Sequence, residues 1–97
     1  MKKRLIQVMQ QDIDNGVPND CYNCAVALAL KREYKTDDVE VTAPDYYNVS
    51  LCIGREELNI NTYDEKSILD FIDKFDKQMN KGDVPLTPFI FEVVEWK

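Results

Sequence analysis

The sequence contains no histidine. That absence removes the Ser–His and Cys–His pairs, the imidazole general base and every histidine-containing zinc site from the chemistry open to this chain. What remains for catalysis is Cys, Asp/Glu, Tyr and Lys, and the expectation is a protein that is not an enzyme and carries no cofactor. Long apolar runs are also missing: no stretch approaches the roughly 20 residues of a membrane span. The opening "MKKRLIQVMQQD" is basic but has only a short alternating stretch behind it, so neither a signal peptide nor a membrane anchor is expected, and the cytoplasm (a host's, if the chain is viral) is the expected location. Cations are in deficit, 12 Lys+Arg against 18 Asp+Glu, for a net charge of −6. Such a chain repels phosphate backbones at long range, which argues against general nucleic-acid binding but leaves a basic partner, or a small anion held in a local pocket. Cysteine is scarce and odd in number, three in all, which argues against a disulfide framework.

The 97 residues that are present suffice for one domain with a single core. "KRLIQVMQ" (residues 3–10) reads as a first strand, and "QDIDNGVPND" as a turn in which Ile13 is an anchor and Asn15-Gly16 supplies a positive φ. Asp20 or Asn19 is placed to cap a helix that runs to about Tyr34, with cations at its negative end. Val39 and Val41 alternate with polar residues, as do Tyr47, Val49, Leu51 and Ile53, and Leu58 and Ile60 form a short return strand after Gly54. Between Thr62 and Gly82, the residues Ile68, Leu69, Phe71, Ile72, Phe75 and Met79 keep the 3–4 spacing of an amphipathic helix. "FIFEVVEW" (89–96) reads as the last strand. This order predicts an α+β two-layer sandwich, a ferredoxin-like relative with two helices on a mostly antiparallel sheet of four to five strands. Strand order is not legible from the sequence.

The segment "CYNCAVALAL" holds the main chemical question. A C-x-x-C pair, Cys21 and Cys24, opens the first helix, where a helix N-terminus favours a thiolate; a thiol–disulfide centre or half of a zinc site are the two functional readings. Against both stand Asp20, whose charge opposes thiolate formation, the proline-containing approach, and the position of Cys52 mid-strand with no cysteine near it. The expected role is therefore a core helix. From Cys24 to Leu30 its apolar side chains point all round, so a cover on more than one side is expected. A second copy meeting the helix at Ala25 and Ala29, in a homodimer or higher oligomer, would supply it.

"QDIDNGVPNDCYNCAVALAL" together with "FIDKFDKQMNKGDVPLTPFIFEV" resembles a group of small uncharacterised proteins of bacteriophages and some actinobacteria. The shared positions are Gly16, Cys21, Cys24, Val26–Ala29, Phe75-Asp76, Pro88-Phe89 and Phe91; the departures are Ala25 in place of a proline and a longer stretch between Asp76 and Pro88. The resemblance brings no activity with it. It implies a phage-like origin, and with it a protein that acts stoichiometrically, as an inhibitor of a host (defence) protein or a sponge for a small nucleotide-like ligand.

Candidate contact residues are Tyr46, Tyr47 and Asn48 at the start of a strand, Arg55 at the hairpin turn and Trp96 near the end of the chain. Adjacent tyrosines leave a strand that buries only one of them, and aromatic faces with a nearby cation suit a nucleotide-like anion. The equally simple alternative is that Tyr47 is core, Tyr46 a lone surface aromatic and Trp96 a cover for the sheet edge. The acids along the second helix read as a solvated face, because Lys66, Lys74 and Lys77 interrupt them at i,i+3 and i,i+4.

Overall fold

The structure, a computed structural model, describes residues 2–18, 20–43, 48–60, 62–77 and 86–95. Its elements are β1 (Lys2–Val8), α1 (Gln10–Asn15), α2 (Ala25–Tyr34), β2 (Val39–Thr42), β3 (Ser50–Ile53), β4 (Glu56–Ile60), α3 (Thr62–Lys77) and β5 (Phe89–Glu95). The five strands form one antiparallel sheet in the order β1-β5-β4-β3-β2. The α+β sandwich is as expected, but the strand order is not that of a ferredoxin-like sheet. There the strands flanking the first helix are separated by a single strand; here β1 and β2 stand at opposite edges with β5, β4 and β3 between them.

Alternation along the strands divides the sheet into a covered and an open face. Ile6 and Val8 of β1, Val39 and Val41 of β2, Leu51, Leu58, Phe91 and Val93 are all buried in one cluster with the helices. Their neighbours in sequence point the other way, so that Leu5 and Ile90 remain more than half exposed on the open face (62% and 56%). The register brings these into line: Leu5 is opposite Glu92 and Gln7 opposite Ile90.

Residues 11–15, expected as a turn, form the short helix α1 together with Gln10, expected as the end of the first strand. Asp12 makes it possible: its Oδ2 accepts from the Met9 backbone N–H at 2.8 Å, satisfying a donor at the helix start. Gly16 follows at φ −69°, not in the left-handed region. Glycine is needed there for a different reason. A Cβ at this position would lie 2.6 Å from the Ala25 nitrogen and 2.8 Å from the Asp12 oxygen, so only a bare backbone fits against the start of α2. Positive φ occurs instead at Lys35, which ends α2 at +52°, and at Gly54 in the β3–β4 turn at +63°.

This close approach corrects the expectation for Ala25 and Ala29. Both are fully buried within a single chain, because the sheet covers α2 on one side and α1 with Gly16 covers it on another. Of Ala25–Leu30 only Leu28 is partly exposed, and neither alanine presents a surface to a second copy. Asp12 is itself buried and is matched by Arg32 from α2, whose Nη1 lies 2.6 Å from Asp12 Oδ1 while its Nη2 donates to the Gln7 carbonyl at 2.8 Å. One guanidinium so joins β1, α1 and α2.

On the other side of the sheet's covered face, α3 contributes Ile68, Phe71, Ile72 and Phe75. Phe71 stacks on Phe75 at 5.8 Å and meets Phe89 of β5 at 4.8 Å, and Phe89 meets Phe91 at 5.9 Å. Its outer face carries the expected i,i+4 ion pairs, Asp70–Lys74 and Asp73–Lys77. Met79 and the expected helix end at Asn80–Gly82 lie outside the described residues.

Candidate functional site

The turn before α2 is built by Asp20, which caps that turn and not the helix. Its Oδ1 accepts from the backbone N–H groups of Tyr22 (2.9 Å) and Asn23 (3.0 Å), and its Oδ2 from the Asn23 side chain. These bonds, the one to Tyr22 foremost, hold the carboxyl below its ordinary range, so it stays ionised. The helix cap falls to Cys24: its backbone is extended, and its sulfur accepts from the Ala27 N–H at 3.4 Å. Cys24 is the buried core residue that its place in the apolar segment predicts. Burial pushes its thiol from the ordinary 9.0 up to about 11, against the weaker pull of the hydrogen bonds from Ala27 and Val26. At neutral pH it is a thiol.

Cys21, three residues earlier, is exposed. Its carbonyl accepts from Val41 N–H at 2.8 Å, so the turn lies against the outer edge of β2 and fills part of the hydrogen-bonding row that an edge strand leaves open. Tyr22 reaches the same strand through Glu40, and the hydrogen bond to that carboxylate raises the tyrosine's pKa.

Cys21 and Cys24 line one cavity of about 210 Å³, closed by Val41 of β2 and Ala43 just after it and by Ile72 and Asp76 from α3. Cys21 and Ala43 also form the rim of a second, more open groove of about 620 Å³ at the loop end of the β2–β3 hairpin. Thr42, Ser50 and Glu57 reach that groove from three adjacent strands, Asn48 and Val49 from the loop, and Glu65 from the first turns of α3. Ser50 Oγ donates to Glu57 Oε2 at 2.6 Å, fixing the carboxylate across the β3–β4 pair. Among the described residues lining cavity and groove, every charged side chain is a carboxylate: Asp20, Asp76, Glu57 and Glu65.

Of the residues singled out from the sequence, Asn48 lines the groove. Arg55 is exposed in the turn at the opposite end of β3, so the structure does not bring the two together. Tyr46, Tyr47 and Trp96 lie outside the described residues. Cys52 is partly exposed beside Ser50 on the open face, apart from the cysteine pair, and among the described residues no three Cys, Asp or Glu side chains converge as a metal site would require. Sequence reasoning missed Thr42, Ser50, Glu57 and Glu65. Their signal was the alternation itself: Ser50 and Glu57 occupy polar positions of two strands now known to be neighbours.

Chemically, this arrangement presents fixed acceptors and negative charge around an open groove, and an exposed thiol at its rim. It suits the desolvation of a cation or hydrogen-bond donor. Comparison of the chain with protein-family models, with curated proteins and with solved structures gives no match.

Proposed function

We propose that this protein is a small non-enzymatic binding protein that acts stoichiometrically on a partner protein, taking a basic segment of that partner into the groove bordered by Glu57 and Glu65. The carrying observation is the sign of the lining. A groove whose described charged side chains are all carboxylates attracts Lys and Arg and repels phosphate, and the net charge of −6 reinforces the same preference at long range. An inhibitor of a host protein is therefore the reading favoured over a sponge for a nucleotide-like anion, since Arg55, the cation nominated for such a ligand, sits at the far end of β3. A phage origin, with the host cytoplasm as the place of action, is supported by the resemblance at Gly16–Ala29, Phe75-Asp76 and Pro88–Phe91 alone.

The test is a calorimetric titration with short peptides of matched length, Lys/Arg-rich, neutral and acidic, alongside mononucleotides. Basic peptides should bind, more weakly as salt is added, and Glu57→Gln or Glu65→Gln should each weaken them about tenfold, the worth of one charge-assisted hydrogen bond. Nucleotide binding equal to or tighter than that of the basic peptides would overturn the reading.

A further inference from the structure

The groove's rim residue Cys21 belongs to a second arrangement that does not depend on what the groove binds. The Asp20 carbonyl accepts from both Asn23 N–H (3.4 Å) and Cys24 N–H (3.0 Å), so the chain makes one tight turn between the two cysteines. Cys21, Tyr22 and Asn23 are the residues enclosed by the turn that Cys24 N–H closes on Asp20, and positions three apart in such a helical turn, as Cys21 and Cys24 are, are neighbours on one side, a spacing that a disulfide can bridge. The two residues face one cavity, and charge on the Cys21 sulfur contributes to raising Cys24. Their surroundings differ sharply. Cys21 is open to solvent, whereas Cys24 is 6% exposed and uses its sulfur to cap α2.

We infer that Cys21 and Cys24 form a thiol–disulfide switch, with exposed Cys21 as the attacking thiol and buried Cys24 as the resolving one, oxidised by a low-molecular-weight disulfide. In the first step the Cys21 thiolate attacks one sulfur of that disulfide; its S–S bond breaks, one small thiolate departs and a mixed disulfide remains on Cys21. In the second, Cys24 loses its proton to solvent and attacks the Cys21 sulfur, the mixed S–S bond breaks and the second small thiolate leaves and is protonated. The protein dithiol is oxidised by two electrons and one small disulfide is reduced to two thiols. Because Cys24 is held as a thiol, the second step is the slow one and quickens as pH rises toward its pKa. Closure has two structural effects. It withdraws the Cys24 sulfur from the Ala27 N–H, loosening the first turn of α2, and it draws the Cys21 side chain toward the inner cavity and away from the groove's rim.

The experiment treats the full chain, with Cys52→Ser to leave only this pair, with oxidised glutathione and reads the mass of the native protein. The expected product has lost two hydrogens, retains no glutathione and resists alkylation at both sulfurs until dithiothreitol is added. Amide exchange at Ala27 should quicken about tenfold in that product, as loss of a cap implies. Adding Cys24→Ser should trap one glutathione on Cys21, and adding Cys21→Ser should leave the folded protein unmodified. A parent chain that keeps glutathione on Cys21, or that does not react at all, would overturn the proposal, and neither reading requires a substituted pair to fold.

Discussion

The sheet has two helical covers, and they are made in different ways. The α1–α2 cover is built from small residues: Ala25, Ala27 and Ala29 are wholly buried, and the Gly16 backbone sits against Ala25 with no room for a Cβ. Beside Ile13, Val26 and Leu30 it is also fastened by polar groups, the Asp12–Arg32 pair and the Arg32 bond to Gln7, with Arg4 donating to the Glu33 carbonyl and lying 4.6 Å over the Tyr34 ring. The α3 cover is built from large ones, Phe71 and Phe75 against Phe89 and Phe91, and its Asp70–Lys74 and Asp73–Lys77 pairs stay outside. Small-residue packing sets the distance between backbones and has no slack. Aromatic packing contributes more per residue, about 1.5–3 kcal/mol for each buried ring, and leaves the surface free to vary. A chain built this way should be sensitive to added atoms on one side and to removed atoms on the other.

The largest expected effect falls on the polar fastening of the first cover. Arg32→Met leaves the Asp12 carboxylate buried without its cation and should cost about 3–5 kcal/mol in denaturant unfolding; a loss comparable to a surface pair would show that the fastening is ornamental. Next is alkaline pH. Cys24 keeps its proton to about 11 in the folded chain but loses it near 9.0 when unfolded, so the unfolded state binds fewer protons in between and stability falls as pH rises across that window. The loss should reach about 2–3 kcal/mol at the upper end, the raised Tyr22 adding in the same direction, and a Cys24→Ala chain should show a flatter profile. Gly16→Ala comes third, at about 1–3 kcal/mol, because one methyl must push α2 away from its seat; the same substitution would be neutral if Gly16 served only as a flexible joint. Smallest is Lys74→Ala on the outer face of α3, under about 0.5 kcal/mol, since its pair with Asp70 is exposed on both sides.

The two covers were not equally legible. The 3–4 spacing from Ile68 to Phe75 announces α3 because an amphipathic stripe needs only one buried side, and the alternating valines and isoleucines announce the strands for the same reason. The unbroken apolar run of α2 states that more than one side is covered without stating by what, and a second copy satisfies it as well as a segment of the same chain. The answer lay in "QQDIDNG", five polar or charged residues and a glycine around one isoleucine, where nothing local distinguishes the buried Asp12 from the exposed Asp14; only Arg32, twenty residues on, makes the difference. The groove was hidden for a related reason. Thr42, Ser50 and Glu57 come together through the register of the β2–β3–β4 meander, and the alternation within a strand shows which of its residues are polar without showing which residues of the neighbouring strand stand opposite them.

Among the described residues, β1 has β5 as its sole strand partner, and this carries a consequence for synthesis. As the polypeptide leaves the ribosome, the β2–β3–β4 meander closes early, from hairpins of nearest neighbours. β1 emerges before all of it and has no strand to pair with until Phe89–Glu95 appears, so its alternating apolar residues stay without their sheet while every intervening element is made. Joining the ends of the chain is the contact with the greatest sequence separation in the fold, and the slow step of folding should be the insertion of β5 between β4 and β1. A truncated or stalled chain would expose both the unpartnered side of β4 and a solitary β1, the species that a nascent-chain chaperone would be called to hold.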